Sequence, residues 1–191
     1  PDILQFIEHG TLNLIAQAEI IGHMSQTLSN AVLDNYHHLG DAASITDGLP
    51  YNPNLGPYEI APDGQSSGVK DDMWAFTSRN PGLDLQAATM FAAASRALKG
   101  YNDELSAKAL EQSKRLQKEA SEFLAKQPQN PFGRGGRSAD VATNLQLYIS
   151  TGEQQYMDKF QELLWPALDR SVNYGLLTAL DAIPHLDATY K

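Results

Sequence analysis

Apolar residues recur at intervals of three, four and seven along most of this 191-residue chain, and nowhere do they alternate with polar ones long enough to suggest a sheet. That period puts one stripe on a helix, and it constrains the fold class to all-α with helices in antiparallel succession. Residues 2–22 carry the first stripe on Ile3, Ile7, Leu14, Ala18 and Ile21, with Asp2 placed to cap it and Gly22 to end it. Residues 84–99 give a second helix with Asp84 as cap and Gly100 as stop, and its Ala87, Ala88, Ala92, Ala93, Ala94 and Ala97 keep the surface thin enough for close packing. The third, 102–126, has Asn102 as cap, Asp103 and Glu104 in its first turn, Lys126 in its last and Pro128 beyond, so its charges match the helix dipole at both ends. Residues 138–150 give a fourth, on Val141, Leu145, Tyr148 and Ile149. Gly152 separates it from a fifth on Tyr156, Phe160, Leu163 and Leu164, which Pro166 should end or kink. A sixth covers 172–182 and stops before Pro184. The fragment Gly133-Arg134-Gly135-Gly136 has no strand before it and lacks the spacing of a phosphate loop, so it reads as a turn between the third and fourth helices, with Arg134 and Arg137 solvated.

Residues 23–81 stand apart from this background. They carry five Gly, five Pro, seven acids and five aromatics without a helical stripe. Loops that long inside a domain are functional or disordered as a rule. Tyr36, Tyr51, Tyr58, Trp74 and Phe76 supply apolar area that a solvated linker would not carry, which favours an ordered loop region. The rest of the composition is that of one globular domain, with 42% hydrophobic and 19% charged residues. Its 14 basic and 23 acidic side chains give a formal charge of −9, a field that repels phosphate backbones and argues against nucleic-acid binding. No apolar run approaches the roughly 20 residues that cross a bilayer. The absence of cysteine removes disulfides, thiolate nucleophiles and Cys-type zinc sites. The chain opens Pro1-Asp2-Ile3-Leu4, with neither Met nor a signal segment, and so reads as an internal or processed piece.

Two clusters in the loop region gather the chemistry: 36–42, with His37, His38 and Asp41, and 66–77, with Asp71, Asp72 and Trp74, followed by Arg79. Imidazoles, carboxylates, an indole and a guanidinium on one element suit a sugar, whose hydroxyls need bidentate partners while its C–H faces lie on aromatic rings. Each residue also has a plainer reading. His37 and His38 lack a third ligand at a metal-binding spacing, so no metal is assigned. Asp71 and Asp72 fit turn or cap acids that accept backbone N–H bonds. Trp74 and Phe76 fit pins between loop and core, and Arg79 fits an ion-pair partner for Asp71 or Asp72.

The runs His37-His38-Leu39-Gly40-Asp41-Ala42, Thr46-Asp47-Gly48-Leu49-Pro50-Tyr51, Ser67-Gly68 with Asp71-Asp72-Met73-Trp74-Ala75-Phe76-Thr77, and Ala92-Ala93-Ala94-Ser95-Arg96-Ala97-Leu98 resemble the middle of a glycoside hydrolase family 9 catalytic domain. The bacterial branch with an N-terminal immunoglobulin-like module is the nearest in pattern, and the likeness extends to residues 148–153. The resemblance implies an (α/α)6 barrel, of which the six helices make about half, and a single domain segment over 1–191. It implies inverting hydrolysis of β-1,4-glucans such as cellulose or xyloglucan, and a secreted or periplasmic setting. Carried over residue by residue, the substrate-cleft role falls on His38, Asp41, Asp72 and Trp74, with His37 and Arg79 beside them. Met73 stands where close relatives carry an arginine. Inverting hydrolysis needs two carboxyl groups about 6.5–9.5 Å apart. In this family the base belongs to an Asp-rich motif upstream and the acid to an Asn-Glu-type motif near the C-terminus, and neither motif occurs here. No catalytic residue is therefore assigned, and the segment by itself should be inactive. Family members that bind calcium or zinc give no ligand set that transfers to these acids, so no cofactor is expected either.

Three functions follow in order. The first is a section of an endo-β-1,4-glucanase completed by flanking sequence. The second is a non-catalytic carbohydrate-binding helical domain, and the third a helical scaffold for protein partners, which the lack of a repeat near 34 residues disfavours. Half a barrel would also leave an apolar flank open, so the chain should self-associate or sit beside flanking parts of the same domain.

Overall fold

The structure is a computed structural model and describes residues 2–26, 28–29, 36–38, 47–72, 74–76, 78–126, 134–170, 172–187 and 190. Its scaffold is helical: α1 (Ile3–Ile20), α2 (Pro81–Leu98), α3 (Asp103–Lys126), α4 (Arg134–Thr151), α5 (Gln154–Arg170) and α6 (Val172–Ala182), with a closing 3₁₀ turn at Ile183–His185. The chain divides into two compact units, residues 1–11 with 81–191 and residues 12–80.

The first unit is a run of helical hairpins in which α2 packs against α3 and α4, α4 against α5, and α6 against both α5 and α4. The expected caps hold α1 and α3 in place. Gln5 N–H donates to Asp2 Oδ1 at 3.2 Å, and Leu105 N–H to Asn102 Oδ1 at 3.0 Å. Gly100 and Gly152 turn the chain between helices at φ of 81° and 70°, which an L side chain resists. The alanines of α2 do what their size suggests. Ala88 and Ala92 are fully buried, and Ser113 of α3 reaches across to donate its hydroxyl to Ala88 O at 2.6 Å. A second apolar cluster holds α4, α5 and α6 together through Val141, Leu145, Met157, Phe160, Leu164, Ala167 and Ala182. At Gly175 α6 lies so close to α5 that an added Cβ would stand 2.8 Å from Leu168 Cδ2.

Three helix boundaries differ from the sequence expectation. α2 begins at Pro81, not at Asp84, because a proline's fixed φ and missing N–H suit the first helical turn, where no intrahelical bond is lost. Asp84 sits in that first turn and is fully buried. α4 takes in Arg134, Gly135 and Gly136, so the expected turn is helix from residue 134 onward. Glycine costs about 1 kcal/mol against alanine in a helix, a penalty that the buried remainder of α4 outweighs, while Gly133 lies outside the described residues. α5 runs through Pro166 to Arg170. Pro166 and Glu162 both face solvent, so the carbonyl that the proline leaves unbonded is accessible to water.

The second unit contains the described part of residues 23–80. It adds what the helical pattern did not foresee, a three-stranded antiparallel ribbon of β1 (Leu28–Ser29), β2 (Tyr36–His38) and β3 (Trp74–Phe76) in the order β1-β3-β2. Strands of two or three residues are too short to show an alternating pattern. Residues 47–72 form a set of tight turns clasped around Ser66–Gly68. Ser67 N–H donates to Pro50 O at 3.0 Å, Asn52 N–H to Ser67 O at 2.7 Å, Ala61 N–H to Ser66 O at 2.9 Å and Gly68 N–H to Glu59 O at 2.8 Å. A Cβ at Gly68 would stand 1.9 Å from Gly56 O, so only glycine fits there.

Candidate functional site

The ribbon brings together residues that are 36 positions apart. β2 and β3 pair so that His38 lies opposite Trp74 and His37 opposite Ala75. Asp72 lies two residues before Trp74, so four of the six residues singled out from the sequence, His37, His38, Asp72 and Trp74, come from one ribbon and its approach. Arg79, half-buried, follows β3 by three residues. Asp41 lies outside the described residues, as does Met73.

The acids of this region brace its backbone. Asp72 is 4% exposed, and its Oδ2 accepts the Tyr51 N–H at 2.5 Å. Asp71 Oδ2 accepts the Asp47 N–H at 2.8 Å, while its Oδ1 is shielded from solvent with no hydrogen-bond partner among the described residues. Asp47 in turn accepts the Leu49 N–H at 2.9 Å on Oδ1 and the Ser67 hydroxyl on Oδ2. The Ser67 hydroxyl and then the Leu49 N–H hold the Asp47 carboxyl below its ordinary value. Consecutive aspartates therefore tie residues 47 and 51 to the approach of β3. This is the turn-acid role that their spacing allowed, and it stiffens the approach to Trp74. Among the described residues no three His, Asp or Glu side chains gather in a way that could hold a metal ion.

Beside these braces lies a contact the sequence reading did not single out. Lys70 Nζ sits 5.5 Å from the centre of the Tyr51 ring, a cation over an aromatic face. The same tyrosine offers its backbone N–H to Asp72, so one residue joins an aromatic surface to the acid brace. Asp47 and Ser67 were missed as a pair because twenty residues separate them. The only local sign was Asp47-Gly48 before Leu49-Pro50, a turn signature that fixes one of its two bonds.

Chemically, the region is a loop stiffened by carboxylates that accept backbone N–H bonds, with the Lys70 ammonium set over the Tyr51 ring. No helix among the described residues is long and apolar enough to cross a membrane. Compared with known proteins, the chain matches no family and no curated sequence.

Proposed function

We propose that this chain is a section of an inverting endo-β-1,4-glucanase of the glycoside hydrolase family 9 type, supplying cleft loop and barrel helices while the two proton-handling carboxylates come from sequence outside it. The observation that supports the reading best is the pairing of His37 and His38 with the Trp74 strand. It gathers the residues of two separate matched motifs on one ribbon, as a shared substrate wall requires. The succession of α2 to α6 as packed hairpins is compatible with an arc of a helical barrel. In this reading His38, Asp41 and Arg79 bond sugar hydroxyls, Trp74 stacks on a pyranose face, and Asp72 holds the loop that carries them. Proton transfer then lies outside these residues, since the inverting geometry needs a water between two carboxyl groups. A β-glucan substrate implies work outside the cytoplasm.

Cello-oligosaccharide binding by calorimetry, paired with a reducing-sugar assay on soluble β-glucan, tests the proposal. The expected outcome is measurable affinity for cellohexaose that falls at least tenfold in Trp74→Ala, with no sugar release by the chain itself and release once both flanks are joined to it. Hydrolysis by the 191-residue chain, or no affinity for any β-glucan, would overturn it.

A further inference from the structure

Tyr58 stands in a backbone conformation that a tyrosine resists. Residues 56–59 form a β-turn closed by Glu59 N–H donating to Gly56 O at 3.0 Å, with Pro57 at the second position and Tyr58 at the third. The φ of Tyr58 is 65°, and among the described residues it is the one residue other than glycine with a positive φ. A positive φ directly after the proline is type II geometry, whose third position calls for Gly or Asn, because a Cβ there crowds the neighbouring carbonyl. Such strain persists where the surroundings over-determine the backbone. The Glu59 side chain turns back to accept the Gly56 N–H on Oε2 at 2.9 Å, and Glu59 O accepts the Gly68 N–H at 2.8 Å, which ties the turn to the Ser67 clasp. The ring itself offsets nothing. Tyr58 is 85% exposed, and among the described residues its side chain makes no hydrogen bond. A residue that breaks the local rule without a contact to compensate points to function rather than to stability.

We propose that Tyr58 is a second stacking platform for the glucan, carried by the same compact unit as Trp74. The inference rests on the β-glucan reading above and extends it from one stacked sugar to two along one chain. A tyrosine ring offers a flat apolar face with a hydroxyl at its edge. That matches a pyranose, which presents C–H groups on its faces and hydroxyls around its rim. The clamped turn fixes the backbone that carries the ring before a sugar arrives, so less ordering is left to oppose binding. A formal charge of −9 disfavours phosphate-bearing ligands at the same ring.

Calorimetry on the 191-residue chain with cellotriose and cellohexaose reads the second platform by ligand length. Tyr58→Ala should weaken cellohexaose binding roughly tenfold and leave cellotriose within about twofold, whereas Trp74→Ala weakens both. Tyr58→Asn separates strain from contact, since asparagine tolerates a positive φ. It should lose as much cellohexaose affinity as the alanine variant while unfolding in urea at a concentration no lower than the wild type. Nitration of Tyr58 by tetranitromethane, followed by peptide mass, should proceed equally with both flanks joined and slow when cellohexaose is bound. Cellohexaose affinity that Tyr58→Ala leaves unchanged would overturn this inference and leave the Trp74 reading standing, whereas a wild type with no affinity for any β-glucan would overturn both. A Tyr58→Asn chain that unfolds earlier, or flanks that shield Tyr58 from nitration without sugar, would give the ring a packing role and overturn the inference as well.

Discussion

Asp140 shows how a single buried carboxylate is held inside a helical hairpin. It lies on α4, 8% exposed, with Oδ1 accepting the Asn144 amide at 2.9 Å and the Ser121 hydroxyl of α3 at 3.3 Å. Burial pushes its carboxyl above the ordinary value, against the downward pull of Gln117, Ser121, Lys159 and Asn144. A carboxyl whose pKa is raised on folding favours the folded state fully below its unfolded pKa, and that contribution is lost as pH rises through the folded one. Asp140→Asn should therefore be more stable than the wild type near pH 7 in urea denaturation, with the gain shrinking toward zero near pH 3.5, below the ordinary Asp value of about 3.9. A gain that grows on acidification would contradict this. Asp47 has the opposite sign, its depressed pKa adding stability that falls away at low pH, so only the mutant-minus-wild-type difference isolates Asp140. The Asp140 environment was not legible in the sequence, and only the local Leu49 bond of Asp47 was. Asp140 is one of 23 acids there, and what singles it out is Ser121 on another helix.

At the scale of elements, the seam between α2 and α4 is a polar ladder within a helical core. The Arg96 guanidinium donates through Nη1 to Ala92 O and Gln146 O, each at 3.1 Å, and to Ser150 Oγ at 2.5 Å, and through Nη2 to Gln146 Oε1 at 2.5 Å. The Thr143 hydroxyl lies 2.8 Å from both Leu85 O and Thr89 Oγ1. Arg96→Lys should cost about 1.5–3 kcal/mol, because one ammonium cannot span the acceptors that the planar fork reaches. Thr143→Val keeps the shape and should cost about 1 kcal/mol. Chemical denaturation of both variants is the check, and a lysine variant less harmed than the valine one would refute the fork's role. The ends of α2 and α4 were legible, since Gly100 and Gly152 sit where capping chemistry puts them, as were the starts of α1 and α3 at Asp2 and Asn102. The starts of α2 and α4 were not, because Pro81, Gly135 and Gly136 are breakers in isolation and become helix only where the following turns are buried.

For the whole molecule, burial is distributed unevenly. α2, α3 and α4 carry Leu85, Phe91, Leu98, Leu116, Leu145 and Leu147 at 1% exposure or less. Within residues 47–72 the buried positions are Ser67, Gly68 and Asp72, so that region rests on turns and hydrogen bonds in place of an apolar core. Native-state hydrogen exchange should therefore be slowest at the centres of α2, α3 and α4. The amides of 47–72 should exchange at least 100-fold faster (~2.7 kcal/mol of opening free energy), apart from those bonded inside the Ser67 clasp. Equal protection throughout would show that the turns belong to the same cooperative core. The sequence by itself determined the helical class, the number of helical stripes and most of their ends, because a 3.6-residue period and a cap are properties of neighbours in the chain. Only the tertiary structure decided that the backbone of His38 pairs opposite Trp74, that Asp72 holds Tyr51 and that α6 turns an apolar face outward. Each of those depends on distant residues arriving at one place, and a local pattern carries no information about what lies across the gap.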